Sequence, residues 1–325
     1  VVITQTGKIT DDFYALGHPA VPVYLLDGPA PAIFDAGFAF LADLYVQEIT
    51  KVLGSRQPAC FFLTHAHFDH CGAAAAFKKS FPGMQMVASR RSADILKKPN
   101  AIELIDQLNR AAEQAAAEFG IDHPFHGRFE TFAVERTIGD EESIRLATDL
   151  HVRAIETPGH TRDCFSYLIE EKNTLISSEA LGQQHKKETI VTDCLSDYDD
   201  YLASLLKLTR LEADIVCPGH FYVYTGEDAR QYPHKAAAAC RQFRTMVETF
   251  HAEAQGDLQQ VMQRIKAIEY DGNTGPRQPE VAYWINLEAR IKAVLHARGS
   301  SPDRHQPRQQ RLELQCDKTW KTNLT

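Results

Sequence analysis

Three histidines and one aspartate crowd the stretch Thr64-His65-Ala66-His67-Phe68-Asp69-His70. Imidazole and carboxylate groups are borderline-to-hard donors, suited to zinc, iron or manganese. A lone His in a loop is ordinarily a solvated side chain, and even a His-x-His pair arises by chance. The full His-x-His-x-Asp-His string is far rarer. It offers more donors than one small, open metal site needs, and suits two adjacent metals sharing the turn.

The elements around the string place it. Ala59-Cys60-Phe61-Phe62-Leu63 reads as a buried strand by length and aromatic content. Cys71-Gly72-Ala73-Ala74-Ala75-Ala76-Phe77-Lys78-Lys79 reads as a helix rich in its best former. The cluster therefore occupies a strand-to-helix turn, at the carboxyl end of the strand, where open α/β sheets bind ligands. Three more donors stand in equivalent places. Val152-Arg153-Ala154-Ile155 runs into Glu156-Thr157-Pro158-Gly159-His160, Thr174-Leu175-Ile176-Ser177 into Ser178-Glu179, and Asp214-Ile215-Val216-Cys217 into Pro218-Gly219-His220. The repeated Pro-Gly-His matters because Pro and Gly fix a tight turn that aims the next imidazole.

The rest of the chain divides by pattern. Strand-like runs at residues 13–16, 21–26 and 32–35 precede a helical stripe at 40–53, and a strand is expected at 84–88. A helical insertion at about 92–120 is broken near Pro99; its stripe of Ile102, Ile105, Leu108 and Ala112 reads as core or as a wall over the site. The β pattern resumes beyond Pro124 and Gly127, with Lys172-Asn173 as a hairpin turn. A helix at 198–211 leads to the last strand, and the β pattern stops after His220. Three helices follow at 227–254, 258–268 and 280–297, with the Gly272 to Pro279 loop before the last. The expected organisation is a sheet domain over 1–225, a C-terminal helical extension over 226–298, and a Pro-, Gln- and Arg-rich disordered tail over 299–325 that need not be native to the protein.

Composition narrows the function classes. The 325 residues carry 35 Lys+Arg against 43 Asp+Glu, a formal charge of -8, which weighs against a nucleic acid held on a basic surface. No apolar run reaches bilayer length, so no membrane partner is expected, and the amino end lacks a signal-peptide layout. The chain starts at Val1 rather than Met, which leaves a removed leader open. Seven scattered cysteines with no Cys-x-x-Cys pair read as reduced thiols in a cytoplasmic protein. Cys71 reads as packing behind the turn rather than as a nucleophile.

Together these residues resemble the metallo-β-lactamase superfamily over roughly residues 14–220. The resemblance implies an α/β fold, a four-layer αββα sandwich with the metal site at one sheet edge, here followed by the helical extension. It implies that His65, His67 and His160 ligate a first metal, and that Asp69, His70 and His220 ligate a second. Glu179 stands where the family has a bridging Asp. The implied cofactors are two divalent ions, zinc first with iron or manganese as alternatives, and Glu179 leaves occupancy of the second site open. Within the superfamily, Cys71-Gly72, Leu108-Asn109-Arg110 and Ala180-Leu181-Gly182, with the helices after His220, are similar to the quinolone-signal response thioesterase and related acyl-thioester and lactone hydrolases.

The chemistry implied is hydrolysis of a carbonyl ester or thioester by a metal-bound hydroxide, with Asp69 as the catalytic carboxylate that orients it. No Gly-x-Ser-x-Gly elbow competes for that role. Tyr222 or Tyr224 is placed to donate to a developing oxyanion, with plain aromatic packing as the alternative. Tyr283, with Trp284 and Leu287, is a candidate lining residue of an acyl pocket, with core packing as the favoured alternative. The expected partner is a small-molecule acyl substrate, and a homodimer is left open. Two other readings compete: a phosphodiesterase or nuclease on the same ligands, and a regulatory binding protein with vestigial hydrolysis.

Overall fold

The computed structural model describes residues 1–121, 127–186, 189–271 and 278–297. Pro124, most of the Gly272 to Pro279 loop, Cys316 and the 299–325 tail lie outside the described residues. Two seven-stranded sheets form the centre. The first runs, in spatial order, Gly7–Lys8, Phe13–His18, Val21–Leu26, Ala32–Phe34, Cys60–Phe62, Gln85–Ser89 and Arg136–Ile138. Its early strands are an antiparallel meander, and pairing turns parallel from Ala32–Phe34 onward. The second runs Val2–Ile3, Val223–Thr225, Ile215–Cys217, Thr174–Ile176, Phe165–Ile169, Leu150–Glu156 and Ser143–Ala147. It is antiparallel except where Thr174–Ile176 pairs with Ile215–Cys217.

Side-chain alternation explains the layering. Successive residues of a strand point to opposite faces. Phe34, Phe62 and Val87 of the first sheet meet Ala154, Tyr167, Ile176 and Cys217 of the second in one buried cluster between the sheets. Their neighbours Ile33, Phe61 and Met86 point outward and pack under the helices Ala42–Leu53, Ala74–Ser80 and Pro99–Gln114. On the other side, Ile155, Leu168, Leu175 and Val216 pack under Tyr198–Leu208, Glu227–Glu253, Leu258–Glu269 and Glu280–Ala297. Strands buried on both faces need near-continuous apolar runs, which is how Cys60-Phe61-Phe62 reads. The outcome is the expected αββα sandwich with helices added at the C-terminal end. Those helices share one buried cluster with the second sheet.

One expectation needs correction. The β pattern does not stop at His220: Val223–Thr225 pairs antiparallel with Ile215–Cys217 and with Val2–Ile3. A three-residue strand leaves too little alternation to be read, and its pairing with residues at the amino end is invisible to local pattern. Elsewhere the insertion resolves into Arg90–Ile95, Pro99–Gln114 and a short 3-10 turn, Ala116–Phe119. Pro99 opens the second helix, where its missing N–H costs nothing. Among the described residues no helix is long and apolar enough to cross a membrane.

Candidate metal centre

The turns at the carboxyl ends of four strands deliver the donors to one place. Cys60–Phe62 leads to His65 and His67, Leu150–Glu156 to His160, Thr174–Ile176 to Glu179, and Ile215–Cys217 to His220. His67 is the N-cap of a one-turn helix, Phe68–Cys71, that presents Asp69 and His70. Cys71 lies fully buried behind it, in the cluster under the outer helices. The ring centroids of His65 lie 4.5 Å from His67, 4.4 Å from His70 and 5.1 Å from His160. His70 and His220 are 5.5 Å apart. Three overlapping groups have donor atoms within 4.8 Å of one another: His65, His67 and His160; His65, His70 and Glu179; Asp69, His70 and His220.

Glu179 sits in the middle of this arrangement. Its Oε1 lies 2.7 Å from both His70 Nε2 and His220 Nε2, and its Oε2 is 3.7 Å from His65 Nε2. Ser178, in the left-handed region at φ 48, donates its hydroxyl to Oε2 at 2.6 Å. The long carboxylate arm needs room. A Cβ at Gly219 would stand 2.4 Å from Glu179 Oε1, so only glycine is accommodated in the second Pro-Gly-His turn.

Outer partners set the ring orientations. A carboxylate or carbonyl can only accept, so His70 donates from Nδ1 to Asp35 Oδ2 (2.8 Å), His160 from Nδ1 to the Asp193 carbonyl (2.9 Å), and His220 from Nδ1 to the Ala20 carbonyl (2.5 Å). Each Nε2 is left facing the centre, the arrangement that outer-shell acceptors give metal-ligating imidazoles. Asp35 also accepts from the Thr64 amide and hydroxyl at 2.8 Å each, on Oδ1 and Oδ2 respectively. Asp163 accepts from the Ala66 amide and the Ser92 hydroxyl, both at 2.8 Å, bracing the turn from the other side. Buried Asn109 joins the inserted helix to the same turn, accepting from the Ala39 amide (2.8 Å) and donating to the Phe68 carbonyl (3.2 Å).

The electrostatics follow from burial and partners. Burial drives His65 well below the usual imidazole range, with His70 and His67 adding to the effect. Burial, then His160, brings His67 down to about 4. Burial would also lower His70 and His220, but Glu179 on both, with Asp35 on His70, overrides it and raises them. Burial pushes Glu179 up, and the surrounding imidazoles more than reverse that, holding it well below the carboxylate range.

The donor set fits divalent cations. His65 Nε2 and Asp69 Oδ1 are buried polar atoms with no hydrogen-bond partner. Each such atom ordinarily costs about 1–3 kcal/mol. His65 belongs to two of the converging groups and Asp69 to the third, and a cation bound there would satisfy the His65 nitrogen. The nitrogen and oxygen donors are those zinc, iron and manganese accept.

All seven donors expected from sequence are thus brought together: His65, His67, Asp69, His70, His160, Glu179 and His220. Tyr222 follows His220 by two residues but is half-buried against the cluster of the second sheet and the C-terminal helices, its ring 6.3 Å from Phe221 and 6.4 Å from Tyr224. Tyr283 is not at the site wall. It is 0% exposed, and its hydroxyl donates to Glu269 at 2.8 Å, so its role is core packing in the helical extension. Sequence reasoning missed Asp35, Asp163, Asp193 and Asn109. Asp35 carried the same signal as the donors, a polar residue directly after the apolar run Ala32-Ile33-Phe34.

The comparisons with known proteins come to the same fold. A "Beta-lactamase-like protein 2 homolog" of Caenorhabditis elegans is 35% identical over 89 residues, which is 27% of this chain and only 28% of that protein. A "Hydroxyacylglutathione hydrolase GloC" of Haemophilus influenzae is 25% identical over 174 residues, 53% of this chain and 73% of that one. The crystal structure of a metallo-beta-lactamase family protein from Thermus thermophilus superposes with a TM-score of 0.58 at 19% identity, covering 90% of this chain and 95% of the other. The pattern that defines the Metallo-beta-lactamase superfamily matches residues 17–220, a span holding every one of the converging donors, and the chain belongs to that superfamily.

Proposed function

We propose that the chain is a metal-dependent hydrolase of small acyl esters, with thioesters or lactones as the substrate class. The observation that carries this is the convergence of three overlapping donor groups, two of which include His65, whose buried Nε2 has no hydrogen-bond partner. His65, His67 and His160 would hold one divalent ion, Asp69, His70 and His220 a second, and Glu179 reaches both groups. Zinc is the first candidate. When bound, such ions lower the pKa of a water and polarise a carbonyl oxygen.

The chain's own residues prepare that chemistry. Asp35 accepts the Nδ1 proton of His70, and the Asp193 and Ala20 carbonyls accept those of His160 and His220, so the opposite nitrogens keep one direction. Asp69, half-buried with one oxygen unpartnered, is placed to orient an attacking water. Half-buried Phe68 stacks on Phe38 at 5.8 Å, an apolar surface on the turn itself that suits an acyl chain. The Tyr222 hydroxyl is the candidate donor to the developing oxyanion.

The thioester class is supported by the Haemophilus relative, whose name describes hydrolysis of an acylated glutathione. The Cys71-Gly72, Leu108-Asn109-Arg110 and Ala180-Leu181-Gly182 runs, which resemble those of the quinolone-signal response thioesterase, are in keeping with this class. The six described cysteines are buried and free, in keeping with a reducing, cytoplasmic setting. Metal analysis of the purified protein, followed by a panel of thioesters, lactones and phosphodiesters, tests the reading. Turnover of phosphodiesters alone, or no bound metal, would refute it.

A further inference from the structure

The helices after residue 226 lie beyond the span that matches the superfamily, yet a buried polar chain joins them to His160. Arg290, on the last helix, is 0% exposed, and its guanidinium lies 4.9 Å from the Phe243 ring centroid and 5.5 Å from that of Tyr283. Its Nη2 donates to Glu269 Oε2 at 2.9 Å, an oxygen that also accepts from Tyr283. Its Nη1 donates to the Thr192 carbonyl at 3.2 Å. The next amide, that of Asp193, donates to the Tyr201 hydroxyl at 3.3 Å, and Tyr201 in turn donates to the Glu179 carbonyl at 2.9 Å.

The Thr192 carbonyl and the Asp193 amide are opposite ends of one rigid peptide plane. Arg290 holds one end and Tyr201 the other. One residue on, the Asp193 carbonyl accepts the Nδ1 proton of His160 at 2.9 Å. Packing alone gives no reason for a guanidinium here, because Leu287, Ile291 and Val294 already bury the same helix. A buried guanidinium is costly unless fully paired, and its Nε has no hydrogen-bond partner here, so burial alone does not account for it.

We infer that Arg290 is a positioning residue: by clamping the Thr192–Asp193 peptide it fixes the carbonyl that orients His160, which makes the C-terminal helices a working part of the metal centre. This rests on the metallohydrolase reading above. The clamp acts on the His65, His67 and His160 group. The Asp69, His70 and His220 group is oriented by Asp35 and Ala20, and the clamp reaches it only indirectly, through the Tyr201 bond to the Glu179 carbonyl.

The test uses the full chain. Zinc affinities are measured by chelator competition, and the His160 tautomer is read from ring nitrogen NMR of the metal-free protein. Glu269→Leu/Arg290→Met removes the pair together and leaves neither charge alone. One zinc affinity is expected to fall about tenfold to a hundredfold, the other to hold, and His160 to lose its single Nδ1–H tautomer. Tyr283→Phe, which removes only the other hydrogen bond to Glu269 and leaves the buried pair and the Thr192 contact in place, is expected to leave both readouts as in the native chain. Should the double variant fail to fold, Arg290→Lys retains the charge for Glu269 but not the reach to Thr192, and the same selective loss is expected. Unchanged affinities and tautomer, or equal losses at both sites, would overturn the inference. A native chain that binds no zinc would instead overturn the metallohydrolase reading, and the tautomer comparison would still decide the role of Arg290.

Discussion

Two donor groups of different character share this site. His65, His67 and His160 face one another as bare imidazoles, and burial depresses all three. His70 and His220 face carboxylates instead, and Glu179 with Asp35 raises them. The first group presents neutral lone pairs over a wide pH range. The second is a hydrogen-bonded ion cluster in which a cation must displace protons that Glu179 already shares. The difference teaches that donors of one type, a few ångströms apart, are tuned by what stands behind them.

The largest effects should come from removing members of either group. His67→Ala and Asp69→Ala are each expected to lower turnover by more than about a hundredfold, beyond what an outer partner gives, with the circular dichroism spectrum retained. Full activity in either variant would mean the site has been misread.

Asp35→Asn sharpens the comparison, because it removes the carboxylate charge behind His70 while an amide oxygen can still accept from Thr64 on the His65 turn. A drop of about tenfold to a hundredfold in the weaker zinc affinity is expected, with the other unchanged. Loss at both sites would show that the groups are not separable.

Glu179 is next. Its arm is one methylene longer than that of Asp and loses more side-chain entropy when held. The second metal is therefore expected to bind more weakly than the first, and Glu179→Asp to tighten it by up to about tenfold. Gly219→Ala, whose Cβ would press on Glu179 Oε1, should be tolerated better in the Glu179→Asp background, a coupling a double-mutant cycle would reveal. Two equally tight sites, unchanged in Glu179→Asp, would end this idea.

The smallest effect is on pH stability of the metal-free protein. Histidines with lowered pKa bind fewer protons folded than unfolded, so their contribution is lost as pH falls from 6.5 towards the value of about 4 at His67. His70 and His220, being raised, contribute fully below 6.5 and lose that contribution as pH rises. Asp193, raised by burial to about 6, acts against the three lowered imidazoles in acid. The net expectation is a fall of a few degrees in Tm between pH 6.5 and 4.5, smaller in His67→Asn. A flat profile in the native chain would remove the distinction between the groups.

The donors were legible because each directly follows an apolar run and two share the Pro-Gly-His turn. Asp35 obeys the same rule and could have been found. The roles of Asp163, Asp193 and Asn109 could not, since Asp163 and Asn109 bond backbone groups of residues 97 and 41 positions away and Asp193 offers its own carbonyl to His160, 33 positions away, pairings set by the packed sheets. Tyr283 took the core alternative rather than the pocket one, a choice sequence leaves open because an aromatic on an apolar helical stripe looks the same in either setting. The layered fold was readable from strand alternation. The strand Val223–Thr225 was not, since it is only three residues long and its second partner, Val2–Ile3, comes from the amino end of the chain.

The bond from His220 to the Ala20 carbonyl spans 200 residues, and the Tyr24 hydroxyl reaches the Pro218 carbonyl across 194. Contacts this distant along the chain form slowly, because loop closure must come first. A growing chain would expose the His65 to His70 string long before His220 exists to complete the set. The centre is thus a late product of folding, and metal taken up early would meet only part of its ligands.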